Sequence, residues 1–162
     1  MERSYFADLH GEDDPAYEVF RLALAAVFDR GDGTTEHIER LTPEARLVYL
    51  LWCFDGEIHN GGFDHLFTNS LGDYCKEILL ELQLVGAVEA FVLLEQAISW
   101  FPQGSPSTDR KTRWKQHDTF SEDPNYDVAI DKLSEKFYEY NDNLASLINA
   151  YVNANPEAAI HA

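Results

Sequence analysis

Residues 124–153 constrain the fold more than any other stretch, because two stripes of opposite character run through them with helical spacing. Carboxylates recur every four residues at Asp127, Asp131, Glu135 and Glu139, with Asp142 close behind. Ile130, Leu133, Phe137, Tyr140, Leu144, Leu147 and Tyr151 recur at threes and fours. On a helix the acids climb about 6 Å per step along one face, and the apolar set lies roughly 165° round the axis. One long amphipathic helix is therefore expected from Asp123-Pro124 to about Asn153, core on one side and charge facing away. Like charges at this spacing cost a helix roughly 0.2–0.5 kcal/mol per pair, partly compensated in the first turn by the helix dipole, so the acidic row itself calls for an explanation.

The rest of the chain is also punctuated as helices. Asp14-Pro15 is a start signal for a helix through about Phe28, with Val19, Leu22, Ala23, Ala26 and Val27 on one side and Arg30-Gly31-Asp32-Gly33 as the stop. Thr42-Pro43-Glu44 opens a second, strongly apolar helix through Val48, Leu51, Trp52 and Ile58, and Asn60-Gly61-Gly62 ends it, since Asn and Gly reach left-handed backbone cheaply. A short helix from about Phe63 to Asn69, broken by Gly72, precedes helices over Asp73 to about Val85 and Val88 to Phe101, separated near Gly86. Residues 105–124 form the one long irregular stretch, holding Arg110, Lys111, Arg113 and Lys115 around Trp114. No useful strand alternation and no internal repeat is visible. The expectation is an all-α single compact domain over 1–162, of six or seven helices, with its core at about 14–156.

Composition narrows the function classes. With 45% apolar and 13% aromatic residues in 162, the chain can bury a sizeable core despite its net charge of −17. Residues 1–50 carry −6, 51–104 carry −7, 105–118 carry +2 and 119–162 carry −6, so the acid is spread along helices and not gathered in a tail. Such a field repels nucleic acid and anionic membranes and attracts basic proteins. The first fifteen residues lack an apolar signal-peptide core and no stretch approaches about eighteen uninterrupted apolar residues, which points to the cytoplasm. Cys53 and Cys75 match no zinc spacing and are expected to be buried free thiols.

For the Asn60-Gly61-Gly62-Phe63 element the residues favour a turn, with Phe63 and Phe67 in the core and Asn69 or Ser70 capping the next start. An alternative gathers Glu57, His59, Asn60 and His65 around a small pocket, with Asp55 and His59 at i, i+4. No HExxH or facing Glu-x-x-His pair supports a metal, and no cofactor and no enzyme activity is expected. The basic segment is expected to fold back onto the protein's own acidic helices or a partner subunit, with Trp114 against a cation or the core, and not to bind nucleic acid.

The segments "EIHNGGFDHLFTNSLGDY" from Glu57, "LVGA" at 84–87, "KFYEYNDNLASLINAYV" and the Asn155-Pro156 pair resemble the bacterial DNA-mimic protein family. The matching stretches cover roughly residues 40–156. The resemblance implies an all-α homodimer whose negative surface imitates the phosphate backbone and occupies the DNA-binding face of a transcription regulator. By motif match it carries over Glu57, Asn60, Gly61, Gly62, Phe63, Phe67, Asn69, Ser70, Gly72 and Asp73, a set read as structural. The acidic row of Asp127, Asp131, Glu135, Glu139 and Asp142 is the expected partner-binding surface. A nuclease-plugging immunity or antitoxin-type inhibitor is the alternative, and a solvated face kept for solubility, with Lys132 and Lys136 pairing Glu135 and Glu139, is the plainest reading.

Overall fold

The structure is a computed structural model that describes residues 14–28 and 37–160. Helices run over Pro15–Val27 (α1), Pro43–Thr68 (α2), Cys75–Val85 (α3), Val88–Ile98 (α4), Arg110–Asp118 (α5), Pro124–Tyr138 (α6), Leu144–Ala154 (α7) and Glu157–Ile160 (α8). Short 3-10 turns occupy Ile38–Arg40, Ser70–Tyr74 and Pro102–Gly104. No strand occurs among the described residues, so the all-α expectation holds. The described residues fall into two compact units, one reaching to Trp52 and resuming at Ala145, the other spanning Cys53–Leu144.

In the first unit α1 starts where Asp14-Pro15 predicts, with proline at the first helical position. Its Ala16 N–H is satisfied by the Asn149 side-chain oxygen at 3.0 Å and not by Asp14. The buried set Ala16, Val19, Ala23 and Val27 follows the helical period, and Phe20 stacks on Trp52 at 4.8 Å between ring centres. The predicted stop at Arg30–Gly33 lies outside the described residues. Thr42 caps α2 through the Ala45 N–H at 3.3 Å, as its sequence position predicts.

In the second unit α2 breaks at the glycine pair, as its sequence predicts. It kinks there: Gly62 has φ 71° and ψ −174°, a conformation reserved for glycine, and the helix resumes towards Thr68. The separate helix predicted from about Phe63 is this segment beyond the break, which ends at Thr68. Gly86, at φ 79°, joins α3 to α4 in a Schellman turn, with Gly86 N–H to the Gln83 carbonyl at 3.1 Å and Ala87 N–H to Leu82 at 2.9 Å. Phe54, Phe63 and Phe137 form one aromatic core, and Phe67, Phe101, Phe120 and Tyr126 another.

Two expectations are corrected. Part of the supposedly irregular stretch 105–124 is helix α5, capped by Asp109, whose carboxylate accepts from the Thr112 N–H at 2.9 Å. The long C-terminal helix is in fact α6 and α7, broken at 139–143, where Tyr140 (φ 55°) and Asn143 (φ 46°) adopt left-handed backbone. The Tyr140 hydroxyl donates to the buried Asp55 carboxylate, and Asp142 accepts from the Ala90 N–H at 2.7 Å in the first turn of α4. These two anchors hold the corner against the cost of its backbone.

Candidate functional site

The acidic row is real along α6 and changes character at both ends. Asp127, Asp131 and Glu135 are exposed, and among the described residues none has an ion-pair partner. The expected Lys132–Glu135 pair does not form, whereas Lys136 does bind Glu139 at 2.6 Å and also reaches Glu89 at 3.4 Å. That lysine, with Asn141, holds the Glu139 carboxyl below its ordinary pKa. Asp142 is half-buried and engaged at the α4 N-terminus, so it stands apart from the free carboxylates. In the other direction the row gains Asp123, exposed and four residues before Asp127, which also caps α6 through the Asn125 N–H at 2.8 Å. Capping chemistry hid Asp123 at the sequence level, although its i−4 register was visible.

A second carboxylate joins from α2. Asp64 lines, with Asp131, Glu135 and Tyr138, a groove of about 250 Å³ whose other wall is the Gly61-Gly62 kink. The Asp64 side chain is 47% exposed, yet one oxygen accepts from His117 at 2.7 Å and from the Tyr126 hydroxyl at 2.6 Å. The His117 bond, opposed by burial and helped by Tyr126, keeps the Asp64 carboxyl below the usual range and therefore charged. Burial pushes the Tyr138 phenol up, and the Asp131 charge adds to it.

The glycine motif places this helix. A Cβ on Gly62 would stand 2.7 Å from the Ser134 hydroxyl of α6, and the same hydroxyl accepts the Phe63 N–H at 3.1 Å while donating to the Ile130 carbonyl at 3.0 Å. The Tyr138 hydroxyl donates to the Ile58 carbonyl, four residues before the kink, at 2.9 Å. Phe63 and Phe67 are fully buried; Asn60 is exposed. The motif is thus the seat of the acidic helix, although it contributes none of the row's carboxylates.

Its downstream half builds a socket for Arg113. This side chain is fully buried and donates to the carbonyls of Phe67 (2.8 Å), Asn69 (2.7 Å) and Ser107 (2.8 Å) and to the Asp73 carboxylate (2.7 Å). Trp114 adds a bond from its indole N–H to the Thr68 carbonyl at 2.9 Å. The carbonyls left open at the C-terminus of α2 are therefore closed by α5, where a cation also suits the dipole. Gly72 makes room: a Cβ there would lie 2.7 Å from both the Arg113 Nε and the Leu66 carbonyl oxygen. Ser70 opens the intervening 3-10 turn. The basic segment does fold onto its own protein, through Arg113, while Trp114 stays 46% exposed.

The alternative pocket comes apart. Glu57 and His65 pair at 2.6 Å with Asn69 bridging at 3.1 Å, but His59 is buried against Asp55 at 2.6 Å, between the rings of Phe137, Tyr138 and Tyr140. His59 and His117 thus pack their rings among aromatic side chains. Among the described residues no group of three or more His, Cys, Asp or Glu is placed to hold a metal. Both cysteines are free; burial pushes the Cys75 thiol up to about 12.

The sequence model of the DMP19-like protein family matches residues 39–155, which takes in the kink, the Arg113 socket and the whole acidic helix. The chain belongs to the DMP19-like family. This is a DNA-mimic family, in agreement with the resemblance drawn from the motif. Searches of curated proteins and of solved structures each found no match. No described helix is long and apolar enough to cross a membrane.

Proposed function

We propose that this chain is a binding protein whose α6 face occupies the DNA-binding surface of a basic partner such as a transcription regulator. The observation that carries the reading is the run Asp123, Asp127, Asp131 and Glu135, exposed and, among the described residues, free of ion pairs, with Asp64 beside it. Four-residue steps give about 6 Å of rise per carboxylate. B-DNA offers one phosphate per about 3.4 Å of axis on each strand, and successive phosphates lie further apart through space because the strand winds. Lys and Arg side chains spaced for phosphates can therefore meet these carboxylates with the same charge-assisted bonds. Membership of a DNA-mimic family supports this reading, and so does a net charge of −17.

A face kept for solubility would gain from neutralising lysines along its length. Among the described residues lysine compensation is instead confined to Glu139 at its end. The test is titration of the protein against purified basic DNA-binding proteins of its own cell at low and high salt. Affinity should fall steeply as the Debye length shrinks from about 10 Å at 0.1 M to about 3 Å at 1 M. Binding that is indifferent to salt, or unchanged in an Asp127→Asn, Asp131→Asn, Glu135→Gln variant, would reject the surface.

A further inference from the structure

A basic surface is left over once Arg113 has closed the end of α2. Arg110, Lys111 and Lys115 are exposed, and among the described residues none of them has an ion-pair partner. At 3.6 residues per turn they share one outer face of α5 with Trp114, turned from the buried Arg113 and His117. This placement is unfavourable to the helix alone. Arg110 and Lys111 open the first turn, where the dipole favours acids and α5 has none, and Lys111 repels Lys115 at i, i+4. Asp109 offsets part of the cost at the cap, but its carboxylate is held by the Thr112 N–H and hydroxyl at 2.9 and 2.7 Å. The Trp114 indole N–H is taken by the Thr68 carbonyl, so the ring is fixed and turns its apolar plane to solvent.

We infer that the outer face of α5 binds a short acidic segment of another protein, with carboxylates on Arg110, Lys111 and Lys115 and an apolar side chain on Trp114. The extent of the patch decides between a peptide and a nucleic acid. α5 is about 14 Å long, room for about four phosphates of one strand. A strand running on would meet Asp118, exposed one turn beyond Trp114, or Asp109 at the other end, and then a protein of net charge −17. A peptide can carry a few acids with an apolar residue among them and then stop. At 0.1 M salt a Debye length of about 10 Å confines each field to its surroundings, so the patch is felt and remoter acids are not. This inference does not rest on the DNA-mimic reading, since its surface is a different one and of opposite sign.

Fluorescence anisotropy of a labelled Glu-Asp-Leu-Glu-Asp peptide titrated with the full chain tests it, beside a labelled oligothymidylate of comparable length. The peptide should bind at about 0.1 M salt and be released at about 1 M. Lys111→Gln with Lys115→Gln should weaken binding about tenfold, and Lys111→Arg with Lys115→Arg should retain it. Both lysines are exposed, so these variants should melt as the wild type does. A peptide with Gly in place of Leu should bind more weakly, which tests the Trp114 contact without altering the protein. The Asp127→Asn, Asp131→Asn, Glu135→Gln variant should bind the peptide at least as well as the wild type, which separates this surface from the one on α6. Oligothymidylate bound more tightly than the peptide would make the patch a nucleic-acid site and overturn the proposal. Binding of neither probe, or peptide binding unmoved by the paired Lys→Gln change, would overturn it equally.

Discussion

Replacing Arg113 by Met should destabilise the protein by about 3–5 kcal/mol, the range for breaking a buried ion pair from one side. The side chain has no solvent exposure and closes three backbone carbonyls besides the Asp73 carboxylate. Methionine fills much of the volume but donates nothing, so each carbonyl left buried without a partner adds a cost of about 1–3 kcal/mol unless water reaches it. Asp73, 28% exposed, recovers part of its solvation, which keeps the total below the simple sum. Lysine cannot substitute, because one ammonium lacks the planar fork that serves Phe67, Asn69 and Asp73 together. Equilibrium urea unfolding measures the loss directly. At roughly 2–4 °C per kcal/mol for a chain of this size, the melting temperature should fall by about 6–20 °C. Asp73→Asn alone should cost clearly less than Arg113→Met, since the carbonyls stay capped. A loss under about 1 kcal/mol for Arg113→Met would refute the idea that this residue closes the end of α2.

Other substitutions separate the glycines and the histidine. Gly62→Ala should cost about 2–4 kcal/mol in urea unfolding, from left-handed backbone and the clash with Ser134, whereas Gly56→Ala, with open space around its added carbon, should be neutral or stabilising by up to about 1 kcal/mol. Burial opposes the charged form of His59, but the bond and attraction of Asp55 outweigh it and raise the pKa above the ordinary 6.5. Its contribution is therefore complete below that value and lost as pH rises through the folded-state pKa, so the stability gap between wild type and His59→Gln should be wider near pH 5.5 than near pH 8.5. For Asp64 the sign reverses: its lowered pKa gives stability that is present above about 3.8 and lost as pH falls through the folded-state value, and Asp64→Asn should flatten that acid limb. Neutralising Asp127, Asp131 and Glu135 should leave the melting temperature unchanged or slightly raised, since repulsive steps of about 0.2–0.5 kcal/mol each are relieved.

Helices with apolar stripes and marked ends were legible in the sequence, and those without were not. α1, the first part of α2, and the α3–α4 pair carry a proline or glycine signal beside a periodic buried set. α5 escaped because the side chains it buries are Arg113 and His117, one turn apart, so hydrophobic periodicity sees nothing there. Its Asp109 cap, three residues before Thr112, was the available signal. The break between α6 and α7 escaped for the opposite reason: Tyr140 continues the apolar period while its backbone leaves the helix to reach Asp55. Asn141-Asp142-Asn143, residues tolerant of turns, marked the spot. Of the acidic row, register and exposure were readable from spacing. The pairing of Glu139 with Lys136 was readable too, as an i, i+3 spacing, whereas the loss of Asp142 to the α4 N-terminus was not, because it depends on a contact 52 residues distant.

If the α6 carboxylates take the place of phosphates, the protein must displace DNA from a basic partner. A basic DNA-binding protein captured by the immobilised chain would be loaded with a fluorescent duplex and titrated with free chain while anisotropy is followed. The wild-type protein should release the duplex, and the Asp127→Asn, Asp131→Asn, Glu135→Gln variant should fail to do so while melting normally. Release by the folded variant as efficient as by the wild type would show that these carboxylates do not stand in for phosphates.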